Sequence, residues 1–259
     1  MKEEETDNDG LADQFKQFRN QMMKLKGRVH FMDAAIPVDE QIDYFRYSAK
    51  IFKENKDLSL DEKEISLMAD ELTDAKTSIE QKKYILSRLA VSHEISAYRT
   101  VERYLKCPDT ELKNWAVLSL MEGRLSIESE LSGKQQVFIS SGLGGKDDLM
   151  RFFVLMLSKN FKPFEEYQKK VIQKEFDFTM HAEHCEIEKL FIADHYITLT
   201  ALFPILSDVN DVITGIVNEC NQYGDFINSQ LVISNVKELN KDEINTVLEK
   251  FATDSKPDN

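Results

Sequence analysis

The period of the apolar residues changes once along this chain, and that change limits the folds open to it. From Val38 to about Leu131 they recur three and four residues apart, the spacing of helices with one buried face. Past Leu131-Ser132-Gly133 they gather into short runs rich in β-branched and aromatic residues, broken by glycine and proline. A helical first half and a mixed second half follow, an α+β protein. With 259 residues the chain is long enough for two domains. The expected organisation is a tail and amphipathic helix over 1–33, an all-α repeat or bundle domain over 34–134, an α/β domain over 135–254, and a tail over 255–259.

Within the first half each helix has its own signals. Leu11, Phe15, Phe18 and Met22 form one stripe, an isolated helix over 11–26 able to dock on the body or on a partner. Ile42, Phe45, Ala49 and Phe52 predict the inner face of a helix that opens at Val38. Ser59 is the expected N-cap of the next helix, which carries Ile65, Met68, Ala69 and Leu72. Ser78 and Gln81 stand at capping-box spacing before Ile79 to Ala90. A helix from His93 to Leu105 ends at Cys107-Pro108, because proline cannot continue it. Asp109 is then placed to cap a helix carrying Leu112, Trp115, Ala116, Leu118 and Leu120.

An offset of 31 residues aligns Glu80 with Glu111, Lys82 with Lys113 and Leu89 with Leu120. It also sets Tyr84 on Trp115 and Ser78 on Asp109. A fixed period of helix pairs marks solenoids. With its Pro-Asp turn, the stretch over 64–130 resembles a HEAT-like repeat of the short kind. The resemblance implies a binding scaffold; a plain helical bundle is the alternative.

In the second half, Leu149 to Leu157 is apolar on both faces, as a buried strand is, although a buried helix reads alike. Pro163 suits the first position of a helix running to Phe178. Cys185 to Ile192 and Tyr196 to Phe203 form a hairpin around Ala193-Asp194-His195. A helix capped by Ser207-Asp208 and closed by Gly224, a strand over Phe226 to Ser234, and a helix over Lys241 to Phe251 complete the series. The order β-α-β-β-α-β-α resembles the ferredoxin-like sandwich with a closing helix. Gln136 to Ser141 is expected to add a hairpin strand. The likeness is topological and implies no activity.

Charge narrows the partners. The formal net charge is −13, and none of the three parts is basic as a whole: residues 1–33 hold 6 basic and 7 acidic residues, residues 34–134 hold 15 and 19, and residues 135–259 hold 12 and 20. Phosphate backbones and anionic membranes are therefore not expected partners. Cys107, Cys185 and Cys220 stand in no CxxC spacing, which points to reduced thiols and a cytoplasmic address. The first ten residues are acidic and lack the apolar core of a secretory signal.

Four groups of residues could carry chemistry. Gly142, Gly144 and Gly145 with Lys146 could cradle a phosphate or nucleotide. Asp147 and Asp148 follow where a nucleotide hydrolase has Ser or Thr, so a hairpin turn competes with that reading. His181, His184 and Cys185 are metal-ligating types at a spacing unlike known zinc sites, and no metal or other cofactor is expected. Trp115 and Tyr104 are possible protein-binding anchors, though helical spacing also suits packing. No residues are assigned a catalytic role: there is no GxSxG, and paired carboxylates abound in so acidic a chain. The functional expectation is a non-catalytic interaction scaffold, its partner another protein or a second copy, with the α/β half regulatory or oligomerising. The alternative is a small-ligand-binding or enzymatic α/β domain that uses the loop over 142–146.

Overall fold

The computed structural model describes residues 29–55, 57–133, 136–139 and 141–254. The chain divides into two compact units, Met1–Ser140 and Ser141–Asn259. The expected helix over 11–26 and the tail over 255–259 lie outside the described residues.

The first unit opens with a short strand, β1 (Val29–Phe31). Five helices follow: α1 (Val38–Glu54), α2 (Glu62–Thr73), α3 (Ile79–Ala90), α4 (Ile95–Tyr104) and α5 (Lys113–Ser132), which a 3-10 turn at Thr110–Leu112 introduces. Strand β2 (Val137–Ile139) closes the unit by pairing in parallel with β1, Val29 opposite Val137. This corrects one expectation: the strand in the run Gln136 to Ser141 adds nothing to the second unit's sheet. The physical reason is a partner more than a hundred residues upstream, which no local pattern reveals.

The apolar face of α1 is also corrected. Its buried residues are Gln41, Tyr44, Ser48 and Ile51. Ile42, Phe45 and Phe52 point outward, 50%, 39% and 52% exposed. The polar residues go inward because they find partners there. Tyr44 donates to Glu122 Oε2 at 2.6 Å, Ser48 Oγ donates to the same carboxylate at 2.7 and 2.8 Å, and Gln41 Nε2 donates to the Ile36 carbonyl at 2.6 Å. A hydrogen-bonded polar side chain is buried at little cost.

Caps differ in detail as well. Asp61, not Ser59, caps α2, in a reciprocal box with Glu64. Ser78 caps α3 by accepting from the Gln81 amide. Asp109 caps nothing, because its carboxylate is engaged elsewhere. The offset of 31 therefore joins residues in unlike settings: Lys82 is buried and Lys113 exposed. The main core of the unit lies between α2 and α5 and is built on Leu72, Ile85, Leu86, Leu89, Val101 and Leu112.

The second unit is one antiparallel sheet with three helices. Its elements are β3 (Gly145–Lys146), β4 (Leu149–Ser158), α6 (Glu166–Ala182), β5 (Glu186–Ile192), β6 (Tyr196–Pro204), α7 (Val209–Asn221), β7 (Ile227–Ser234) and α8 (Lys241–Asp254). Strand β4 is central. It pairs with β6 on one side and with β7 and the two-residue β3 on the other, and β5 lies outside β6. From Phe152 to Ser158 every residue of β4 is buried, as its unbroken apolar run predicts. Phe153, Leu155 and Leu157 meet Ile244, Val247 and Leu248 of α8. Val154 and Met156 project from the opposite face.

Helix α6 begins at Glu166 rather than at Pro163. The chain between is held extended, with the Phe164 amide donating to the Asp194 carbonyl at 2.8 Å. Helix α7 ends at Asn221 without a glycine cap. The Asn221 side chain instead accepts from the Phe226 and Ile227 amides. The protein is α+β. Among the described residues no helix is long and apolar enough to cross a membrane.

Candidate functional site

Helices α2 and α4 pack with small side chains, and two adjoining hollows of 340 and 450 Å³ open between them. Both are lined by Ala69, Thr100 and Arg103. The first adds Leu72, Lys82, Tyr104 and Asp109, the second Glu62, Asp70 and Arg99.

The wall of the first hollow is a closed polar triad. Lys82 projects from α3, and only 5% of its side chain is exposed. Its Nζ lies 2.7 Å from Asp109 Oδ2, and the Tyr104 hydroxyl donates to that oxygen at 2.6 Å. The Asp109 amide donates back to the Tyr104 oxygen at 3.2 Å. Hydrogen bonds from Lys82 and then Tyr104 hold the Asp109 carboxyl below its usual range. Burial, and then the bond to Asp109, push the Tyr104 phenol well above its own. The cation and the phenol are thus spent on one carboxylate, which ties α3 and α4 to the turn that opens α5.

Arg103 is left over. It projects from the last turn of α4, is exposed, and has no acceptor for its guanidinium among the described residues. Its neighbour Arg99 is paired with Glu102 at 2.9 Å. The hollow therefore offers one uncommitted planar cation beside an apolar floor of Ala69 and Leu72. Such a fork matches a carboxylate or phosphate.

The residues marked in the sequence fall elsewhere, Tyr104 excepted. Tyr104 is 7% exposed and belongs to the core. Trp115 is half-buried: its Nε1 donates to Ser87 Oγ at 3.0 Å, its ring meets Tyr44 and Tyr47 edge-on, and Lys83 Nζ sits 5.0 Å from the ring centre. Gly142, Gly144 and Gly145 are buried, and Lys146 is exposed and 3.2 Å from Glu186. The Leu143 amide donates to the Asn235 carbonyl at 3.0 Å and the Gly144 amide to the Ser141 carbonyl at 3.1 Å. Arg151, in turn, donates to the Leu143 carbonyl at 2.7 Å. The loop is stitched to its surroundings and lines neither hollow.

His181 lies in the last turn of α6, and His184 sits at positive φ just past its end. Cys185 is buried, and desolvation pushes its thiol up to about 11. No group of three or more His, Cys, Asp or Glu among the described residues is arranged to hold a metal ion. Lys82 and Arg103 escaped notice in the sequence as site residues. Lys82 did carry a signal: it shares a helical face with Leu86 and Leu89, and a lysine on a buried stripe needs an anion. Arg103 carried none.

No family model matches the chain, and no curated protein does. Solved structures do. A transposase candidate from Deinococcus radiodurans R1 aligns at a TM-score of 0.36 and 10% identity, over 39% of this chain and 90% of that one. A REP-associated tyrosine transposase bound to a REP hairpin aligns at 0.31 and 11%, over 38% of this chain and 62% of that one. These neighbours correct the functional expectation. One is described as a transposase candidate and the other as a transposase bound to a REP hairpin, neither as a protein-binding scaffold, and the expectation of a protein-binding, HEAT-like scaffold is withdrawn. The partner expectation, another protein or a second copy with nucleic acid excluded, is withdrawn with it. At these scores the likeness assigns no activity to this chain.

Proposed function

We propose that the first unit binds a small organic anion, a carboxylate or phosphate, in the cleft between α2 and α4, with Arg103 as its charged contact. One observation carries this reading. A guanidinium with no acceptor among the described residues stands over a hollow of 340 Å³, within the size range of small-molecule sites. The apolar part of the ligand would rest on Ala69 and Leu72, and Arg103 would grip its anionic end. The Lys82–Asp109–Tyr104 triad keeps the wall fixed and takes no direct part.

Calorimetric titration with citrate, inorganic phosphate and a nucleoside monophosphate tests it. At least one is expected to bind the intact chain, and Arg103→Ala to weaken that ligand by roughly ten- to a hundred-fold, the worth of a charge-assisted hydrogen bond. Binding by none of the three, or equal binding by the variant, would sink the proposal.

The second unit we assign to the ferredoxin-like class. In support, β4-α6-β5 and β6-α7-β7 are two successive β-α-β halves, and their strands lie in the spatial order β7-β4-β6-β5. The three free thiols suit a reducing, cytoplasmic setting.

A further inference from the structure

The cleft between α2 and α4 has walls of opposite charge. Glu62 and Asp70 stand on the α2 side, Arg99 and Arg103 on the α4 side. Of these four only Arg99 is engaged, by Glu102 of its own helix. Among the described residues neither carboxylate has a cation within ion-pair reach, and neither closes across the cleft onto Arg103. Lys82, the other cation at the cleft, is already held by Asp109.

The levels along the cleft say which of these charges face each other. Ala69 and Arg103 line both hollows. The later residues Leu72 and Tyr104 line only the first, and the earlier Glu62 and Arg99 only the second. The two helices therefore run the same way, and Asp70, next to Ala69, stands across from Arg103. Glu62 lies two turns back, about 12 Å along the axis at a helical rise, too far to share one small head group with Arg103. A simple anion on Arg103 would face the repulsion of Asp70. An ammonium carried beside that anion turns the repulsion into a second ion pair. Resting on the anion site proposed above, we infer that its ligand is an α-amino acid with an apolar side chain. The carboxylate lies on Arg103, the ammonium on Asp70, and the side chain on Ala69 and Leu72 in the first hollow.

Calorimetry on the full chain tests this with three probes: L-leucine, isocaproate, which lacks only the ammonium, and isoamylamine, which lacks only the carboxylate. Leucine is expected to bind roughly ten-fold or more tightly than either. Asp70→Asn should weaken leucine roughly ten-fold and leave isocaproate no weaker. Arg103→Ala should weaken both. Asp70 is exposed, so the variant keeps its fold; circular dichroism checks this. The inference is overturned if leucine binds no more tightly than isocaproate, or if the Asp70→Asn protein binds leucine as the wild type does. Where isocaproate or another simple anion still binds through Arg103, that outcome removes the amino acid and leaves the anion site standing. Where no anion binds at all, both fall.

Discussion

A Cβ atom on Gly142 would lie 1.9 Å from the carbonyl oxygen of Val236. The neighbour is backbone, held by the Leu143–Asn235 hydrogen bond beside it, so it has little room to retreat. Glycine stands there because two stretches of main chain meet at van der Waals distance. Gly142→Ala is expected to destabilise the protein by about 1–3 kcal/mol, the cost of overpacking a filled site. Urea unfolding followed by tyrosine and tryptophan fluorescence measures it, and an unchanged midpoint would show that the loop can shift freely.

The Lys82–Asp109 pair predicts a pH-dependent loss. Removing one partner of a buried pair is costly, but Asp109 keeps 40% of its side chain exposed and can turn to water. Lys82→Met should therefore cost about 1–3 kcal/mol near neutrality, below the full cost for a buried pair. The folded-state pKa of Asp109 is depressed. Its contribution is complete above the ordinary value of 3.8 and is lost as pH falls through the depressed one. The stability gap between wild type and variant should hold steady down to about pH 4 and shrink as pH falls further, through the depressed value. A gap of constant size would mean that Lys82 acts through packing alone.

How much of this was legible beforehand depended on where each residue's partner lies. The apolar run of β4 predicts burial on every side, but a buried helix reads alike, and it is the pairing with neighbouring strands that makes it a central strand. The order of elements in the second unit was readable from local signals. Helix α1 misleads because hydropathy ignores hydrogen bonds: Tyr44, Ser48 and Gln41 are buried by virtue of Glu122 and the Ile36 carbonyl, one of them far along the chain. The pairing of β2 with β1 is hidden by sequence distance. The glycine loop drew attention through its composition, and there Gly142 allows a close main-chain approach to Val236 that the sequence does not reveal. Arg103 looks like any surface arginine until α2 is set beside it.

Glu122 supplies the remaining prediction. Its carboxylate lies within the first unit and accepts from Tyr44 and Ser48. Desolvation pushes its pKa up, and those bonds together with the nearby charge of His93 pull it only part of the way back. A carboxyl with a raised folded-state pKa binds its proton more tightly folded than unfolded. The wild type therefore gains stability as pH falls through the raised value toward 4.5, and carries the cost of a buried charge above it. Glu122→Gln removes the titration while its Oε1 still accepts from the hydroxyls. Measured by urea unfolding at about pH 7 and pH 5, the difference between the two proteins should move in favour of the wild type at the lower pH. A difference that stays constant would mean that Glu122 keeps an ordinary pKa. One that moves toward the variant would mean that the hydroxyl bonds outweigh desolvation, and that the Tyr44–Glu122 contact holds a charge the fold is built to keep.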